Sequence, residues 1–207
     1  MMYLAPKIAA LSLLAIVNAI APVVSDSPTD VTYEATFKKT ILGSVAFSST
    51  NGSVLVEVDL SGLPETGGPF LYHIHALPVP ANGSCLGTAG HFNPFLGSAN
   101  ATIWDEMELG DLSGKHGEIT GTSILTSYID PYLSLNPDSK SYFGGLSVVV
   151  HYHNTTRLAC ANITEEATSS SSSSANSTTV SSSSTNGAAY IGAGVAPLVA
   201  GAVALII

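Results

Sequence analysis

Ser53-Val54-Leu55-Val56-Glu57-Val58-Asp59-Leu60 decides the fold class. Val54, Val56, Val58 and Leu60 fall on one face, while Ser53, Glu57 and Asp59 fall on the other; this period of two belongs to a half-buried β-strand. Immediately before it, Asn51-Gly52 supplies two residues that accept positive φ, the requirement of a tight hairpin turn. Further upstream, Val31, Tyr33, Ala35 and Phe37 alternate with Thr32, Glu34, Thr36 and Lys38 in the same way. Phe70 to Ala76, Ile119 to Leu125, Leu146 to His153 and Ala159 to Thr164 give further strands, and no segment keeps a helical period. Short strands punctuated by Gly and Pro predict an antiparallel sandwich or barrel. The irregular stretch from Leu77 to Leu112 is longer than a connection requires, and such loops usually carry function.

The ends differ from this middle. Lys7 followed by an apolar run to Ala21 reads as a secretory signal over residues 1–21, with cleavage after Ala19, Ala21 or Ser25 and with Pro22 disfavouring the second. A folded domain is expected over 26–166, one domain's worth of chain. Between Thr168 and Thr185, 15 of 18 residues are Ser or Thr, so residues 167–187 read as a disordered, O-glycosylated stalk. Residues 188–207 are uncharged and mostly apolar. With small residues at Asn186, Gly187 and Ala188 ahead of them, they read as a GPI-attachment signal with Asn186 or Gly187 as the attachment site. The competing reading is a transmembrane helix; Gly192, Gly194, Pro197, Gly201 and the lack of a basic flank count against it.

A formal net charge of -9, from 15 acids and 6 bases, argues against nucleic acid or an anionic membrane surface as a partner. A small anion would need a local cation to guide it in. Sequons begin at Asn51, Asn82, Asn100, Asn154, Asn162 and Asn176, which fits a secreted, glycosylated chain. That compartment permits disulfides, and Cys85 and Cys160 are the two cysteines. If paired, they close a loop of about 75 residues, worth roughly 4 kcal/mol in loop entropy.

Five of the six histidines sit in or near motifs that could share one site: His73-Ile74-His75, His91 in the long loop, and His151-Tyr152-His153. Residues two apart on a strand share a face, and imidazoles with no thiolate or thioether among them suit copper(II), zinc or nickel. Copper makes such a site redox-active, while zinc makes it hydrolytic or structural.

Five motifs follow one another: Tyr72-His73-Ile74-His75, Cys85 to Pro94, Glu108-Leu109-Gly110-Asp111-Leu112, Gly144 to His151, and Arg157-Leu158-Ala159-Cys160. In this order they resemble the copper/zinc superoxide dismutase family over roughly residues 31–164. The resemblance implies an all-β fold, an eight-stranded antiparallel Greek-key β-barrel. It implies one copper ion per chain held by His73, His75, His91 and His151, a Cys85–Cys160 disulfide, and Arg157 guiding superoxide. It also exposes departures. No histidine lies between His91 and Asp111, Glu108 stands where a zinc-ligating histidine is expected, and five residues separate His151 from Arg157, so the long charged loop over the channel is missing.

With the signal, stalk and anchor, these departures make the chain similar to the fungal copper-only superoxide dismutases of the cell surface. The expectation is thus a monomeric extracellular enzyme, tethered to plasma membrane or cell wall, with copper and without zinc. Asp111, together with Glu108, is expected to take over from zinc the orientation of the free nitrogen of His91; the alternatives are solvated loop acids or a residual zinc site of His91, Glu108 and Asp111. His116, in a polar turn, is expected at the surface, and His153 either at the rim of the site or simply exposed. A copper-sequestering surface protein without turnover would use the same four histidines but would need no Arg157. A structural wall glycoprotein would not need all four.

Overall fold

The computed structural model describes residues 20–166. The stalk at 167–187, the anchor signal at 188–207 with Asn186 and Gly187, the sequon at Asn176 and residues 1–19 of the signal lie outside the described residues. Among the described residues no helix is long and apolar enough to cross a membrane.

Seven strands form one antiparallel sheet: β1 Tyr33–Lys38, β2 Leu42–Thr50, β3 Ser53–Ser61, β4 Leu71–His75, β5 Ser123–Asp130, β6 Ser147–His151 and β7 Arg157–Glu165, in the order β4-β6-β7-β1-β2-β3-β5. The sheet curls into a Greek-key half-barrel with β4 and β5 at its edges. The alternation read from β3 is the observed one, with Val54, Val56, Val58 and Leu60 buried. Asn51 (φ 51°) and Gly52 (φ 83°) make the turn that sets Thr50 opposite Ser53. Across the same pair Gly43, at φ 109°, lies so close to Asp59 that a Cβ there would be 2.0 Å from the Asp59 carbonyl oxygen, which only glycine tolerates.

Eight strands were expected and seven form. The eighth shrinks to one bridge, in which Phe70 and Ile119 exchange both backbone hydrogen bonds at 2.8 Å. Gly117 (φ 104°) and Gly121 (φ 82°) bracket that stretch and leave three residues between turns, too few for a strand. The strand expected at Ile119 to Leu125 runs instead over Ser123–Asp130. Its outward face carries Leu125, 83% exposed, and Ile129, so its apolar pattern does not follow the burial. Packing begins earlier than residue 26: Ala21 is buried, its N–H donates to Asp105 O at 2.7 Å, and Val24 N–H donates to Pro131 O at 2.8 Å.

On β4 and β6 the side chains divide between two faces. Tyr72, Ile74, Val148 and Val150 enter the core, whereas His73, His75 and His151 take the opposite face. That face is covered by the long loop, held on β4 by Phe92 N–H to Ile74 O (2.8 Å) and Ile74 N–H to Gly110 O (2.9 Å). A five-residue helix, α1 Leu112–His116, closes the loop, capped by the Asp111 side chain, which accepts from Gly114 N–H at 2.8 Å. Cys85 and Cys160 form a disulfide that ties the loop to β7.

Candidate metal centre

His73, His75, His91 and His151 converge so that one ring nitrogen of each lies within 4.8 Å of the others. Three come from paired strands in fixed register, Leu71 opposite His151 and His75 opposite Ser147. His91 arrives from the loop through a bridge to His75.

The hydrogen bonds identify the inward-facing nitrogens. His75 Nδ1 donates to Ala89 O (2.9 Å) with Thr88 Oγ1 at 3.0 Å, and His151 Nδ1 donates to Thr155 O (2.9 Å). Each Nε2 is therefore an unprotonated lone pair. These two acceptors face each other at 3.1 Å, which is repulsive unless a cation or proton lies between them. His91 Nδ1 donates to Glu108 Oε2 at 2.5 Å, leaving Nε2 as its lone pair. His73 is turned the other way, and it, not His91, is the ring that Asp111 backs, so of the two carboxylates only Glu108 takes the place expected beside His91. Its Nε2 meets Ser113 Oγ (3.1 Å) and Asp111 Oδ1 (3.3 Å), while its Nδ1 is buried without a partner. Four lone pairs with an orphaned buried nitrogen among them fit a divalent transition metal that accepts imidazole, copper included.

Burial disfavours protonation at the same atoms. His75 is lowered to about 3 and His151 to about 4, in both cases chiefly by burial, with the charges of the neighbouring histidines and Arg157 adding to it. His91 is lowered too, by burial and by His73, against the opposing pull of Glu108. Burial alone would raise Asp111, but the hydrogen bond and charge of His73 and the Gly114 N–H hold it below its ordinary value.

Two backbone carbonyls that accept from these rings belong to residues in the left-handed region, Ala89 (φ 61°) and Thr155 (φ 68°). For a β-branched residue such as Thr155 this conformation is unfavourable, and it aims the carbonyl at His151. Arg157 lies at the edge of the group, half-buried. Its Nη1 donates to Cys85 O at 2.6 Å and its Nη2 to Ala89 O, the carbonyl that also serves His75.

The structure thus brings together the four histidines, Glu108, Asp111, Arg157 and the disulfide. Two further histidines are not among the four clustered rings. His153 is exposed in a turn beyond the end of β6, its N–H bonded to Gly67 O; the register shifts between Val150 and His151, so the alternation that would align it with His151 has ended. The surface expectation for His116 is incorrect: its side chain is 4% exposed, bonds Asp130 Oδ2 at 3.1 Å and stacks on Tyr128 at 3.8 Å. Ser113, Thr88 and the Ala89 and Thr155 carbonyls were not anticipated. Only Ser113 had a local signal, standing two residues after an Asp that caps a helix. The sequon residues Asn51, Asn82, Asn100, Asn154 and Asn162 are all exposed.

Comparison with known proteins points the same way. Residues 41–177 match the family model for copper/zinc superoxide dismutase. Cell surface superoxide dismutase 4 of Candida albicans, named as a copper–zinc protein, is 52% identical over 70% of this chain and 64% of its own. The cell surface Cu-only superoxide dismutase 5 of the same organism is 50% identical over 70% of this chain and 65% of its own. The chain therefore spans just under two thirds of these relatives. The Cu(II) structure of Candida albicans superoxide dismutase 5 aligns with a TM-score of 0.63 and 48% identity, over 66% of this chain and 92% of that one. The chain belongs to the copper/zinc superoxide dismutase family.

Proposed function

We propose that this protein is a copper-only superoxide dismutase of the cell surface, converting two superoxide anions and two protons to oxygen and hydrogen peroxide. The observation that carries the reading is the facing pair of unprotonated Nε2 atoms, His75 and His151 at 3.1 Å, completed by His91 and the orphaned Nδ1 of His73. Bound there, one copper ion supplies a one-electron redox couple. Zinc is not expected, because Glu108 already occupies the His91 Nδ1 proton that a second metal would replace.

Arg157 attracts the anion and holds it by charge-assisted hydrogen bonds, against a net charge of -9 that would repel it. His91, from the loop and with its side chain more exposed than that of His73 (24% against 7%), is the ligand placed to carry a proton on Nε2 to the departing peroxide. Glu108 keeps the Nδ1 proton in place, so that only the other nitrogen exchanges. Asp111 does the same for His73 Nε2. A monomer suffices, since every group named belongs to one chain. The signal, stalk and GPI-attachment sequences support secretion and tethering at the cell surface, as do the names of the relatives.

Metal analysis of the purified protein beside a dismutation assay, with and without added copper and zinc, tests the reading. Copper near one per chain, no zinc and copper-dependent activity are expected. Activity requiring zinc would overturn it, and full copper without turnover would favour a sequestering protein.

A further inference from the structure

A second buried polar cluster, unused in the proposed chemistry, lies at the C-terminal end of α1. Asp130, the last residue of β5, and Lys115 form an ion pair at 2.6 Å with side chains 0% and 1% exposed. The same Oδ2 receives His116 Nε2 at 3.1 Å, while Oδ1 accepts Tyr132 N–H at 2.9 Å. Lys115 Nζ also donates to Leu109 O at 2.8 Å. Consecutive residues of one helix are thus tied to a single carboxylate oxygen of another element.

Stability is a poor reason for this arrangement, because well-packed apolar residues are often as good as a buried ion pair or better. The opposite end of the helix gives a better one. Asp111, its cap, and Ser113, in its first turn, are the two groups that hold His73 Nε2. A helix of five residues cannot maintain its own position, so the fixings at one end determine where the other end lies. A second connection runs in parallel: Tyr72 N–H donates to Ser113 Oγ at 3.2 Å, Tyr72 OH donates to Tyr128 OH at 3.1 Å, and Tyr128 stacks on His116.

We propose that Asp130 is a positioning residue for the histidine site: by clamping Lys115 and His116 it fixes α1, and through Asp111 and Ser113 it sets the direction in which His73 presents Nδ1 to the metal. The inference rests on the copper-site reading above.

The test uses the full chain, with copper affinity measured by chelator competition and the Cu(II) electron paramagnetic resonance spectrum as readouts. Asp130→Asn keeps the shape and the Tyr132 contact but removes the charge. It should weaken copper binding roughly 10-fold, as loss of a residue that orients a ligand does, and shift the hyperfine splitting. His116→Phe keeps the stack on Tyr128 and loses only the donation to Asp130, so it should shift the spectrum in the same direction and decides the matter if Asp130→Asn does not fold. Val58→Ala, a core truncation in β3, should lower stability and leave both readouts unchanged. Wild-type protein that takes up no copper fails the site reading and this inference with it. Wild type that binds copper, with the folded Asp130 or His116 variants matching it in both affinity and spectrum, overturns the positioning role alone.

Discussion

Without a metal at the four histidines, lowering the pH should destabilise this protein in a window set by those rings. In the folded chain His75 is held at about 3 and His151 at about 4, against an ordinary 6.5 in the unfolded chain. Below pH 6.5 the unfolded state therefore binds protons that the folded state refuses, and stability falls as pH falls. From about pH 7.5 to about pH 5 each histidine accounts for about 2 kcal/mol, or about 4 kcal/mol together, a large share of the ~5–15 kcal/mol that a domain has. His91, also lowered, adds in the same direction. Asp111 and Asp130 act outside this window. Asp130, lowered by Lys115 and His116 against the opposing effect of burial, stabilises above its ordinary 3.8 and is lost only in stronger acid. Urea denaturation of the metal-free protein across this range should show the midpoint falling by roughly 2 M, for a slope of about 2 kcal/mol/M. His75→Gln should remove about half of the pH dependence. A metal-free midpoint that is flat from pH 7.5 to 5, or a His75→Gln variant with the wild-type slope, would refute the reasoning.

Other expectations follow from single contacts. Arg157→Ala should reduce dismutation at low ionic strength by tenfold or more, leave copper content unchanged and flatten the salt dependence of the rate, as measured by stopped-flow decay of superoxide. Cys85→Ser with Cys160→Ser opens a loop spanning 75 residues; about 4 kcal/mol should be lost in chemical denaturation, with activity falling further because Cys85 O no longer sits where Arg157 Nη1 needs it.

The four clustered histidines were partly readable because strand alternation acts locally, while His91 entered the set through the family resemblance. His73-Ile74-His75 announces a shared face wherever the strand continues, and β4 does continue through it. His151-Tyr152-His153 carries the same pattern and misleads, because β6 stops at His151 and the backbone shifts register there. His116 misleads for another reason. Gly114-Lys115-His116-Gly117 has the composition of an exposed turn, and nothing nearby reveals that Asp130, 14 residues on, will bury it. The Ala89 and Thr155 carbonyls left no trace at all, since what matters there is backbone direction and not residue type.

The supports behind the four rings divide the site into two halves. His75 and His151 lean on neutral carbonyls, Ala89 and Thr155, both held by left-handed backbone. His91 and His73 lean on carboxylates, Glu108 and Asp111. A carbonyl fixes a tautomer without adding charge, so the first pair stays neutral and rigid through any change at the metal. A carboxylate stabilises an imidazolium, so in the second pair a ring that takes up a proton meets an existing counter-charge. Between the two carboxylate-backed rings, His73 keeps its metal-facing Nδ1 buried, while His91 comes from a loop and is partly exposed. Among the four rings, only at His91 do counter-charge, a loop position and solvent access coincide. A two-metal site would fix that ring with a second cation and deliver its proton against a positive charge; here Glu108 fixes it with a negative one. The His91 proton should therefore be held more tightly in this chain, and replacing Glu108 with Gln should move the alkaline limb of the activity profile to lower pH. An unchanged limb in Glu108→Gln, with copper still bound, would mean that the proton reaches the peroxide from solvent and not from His91.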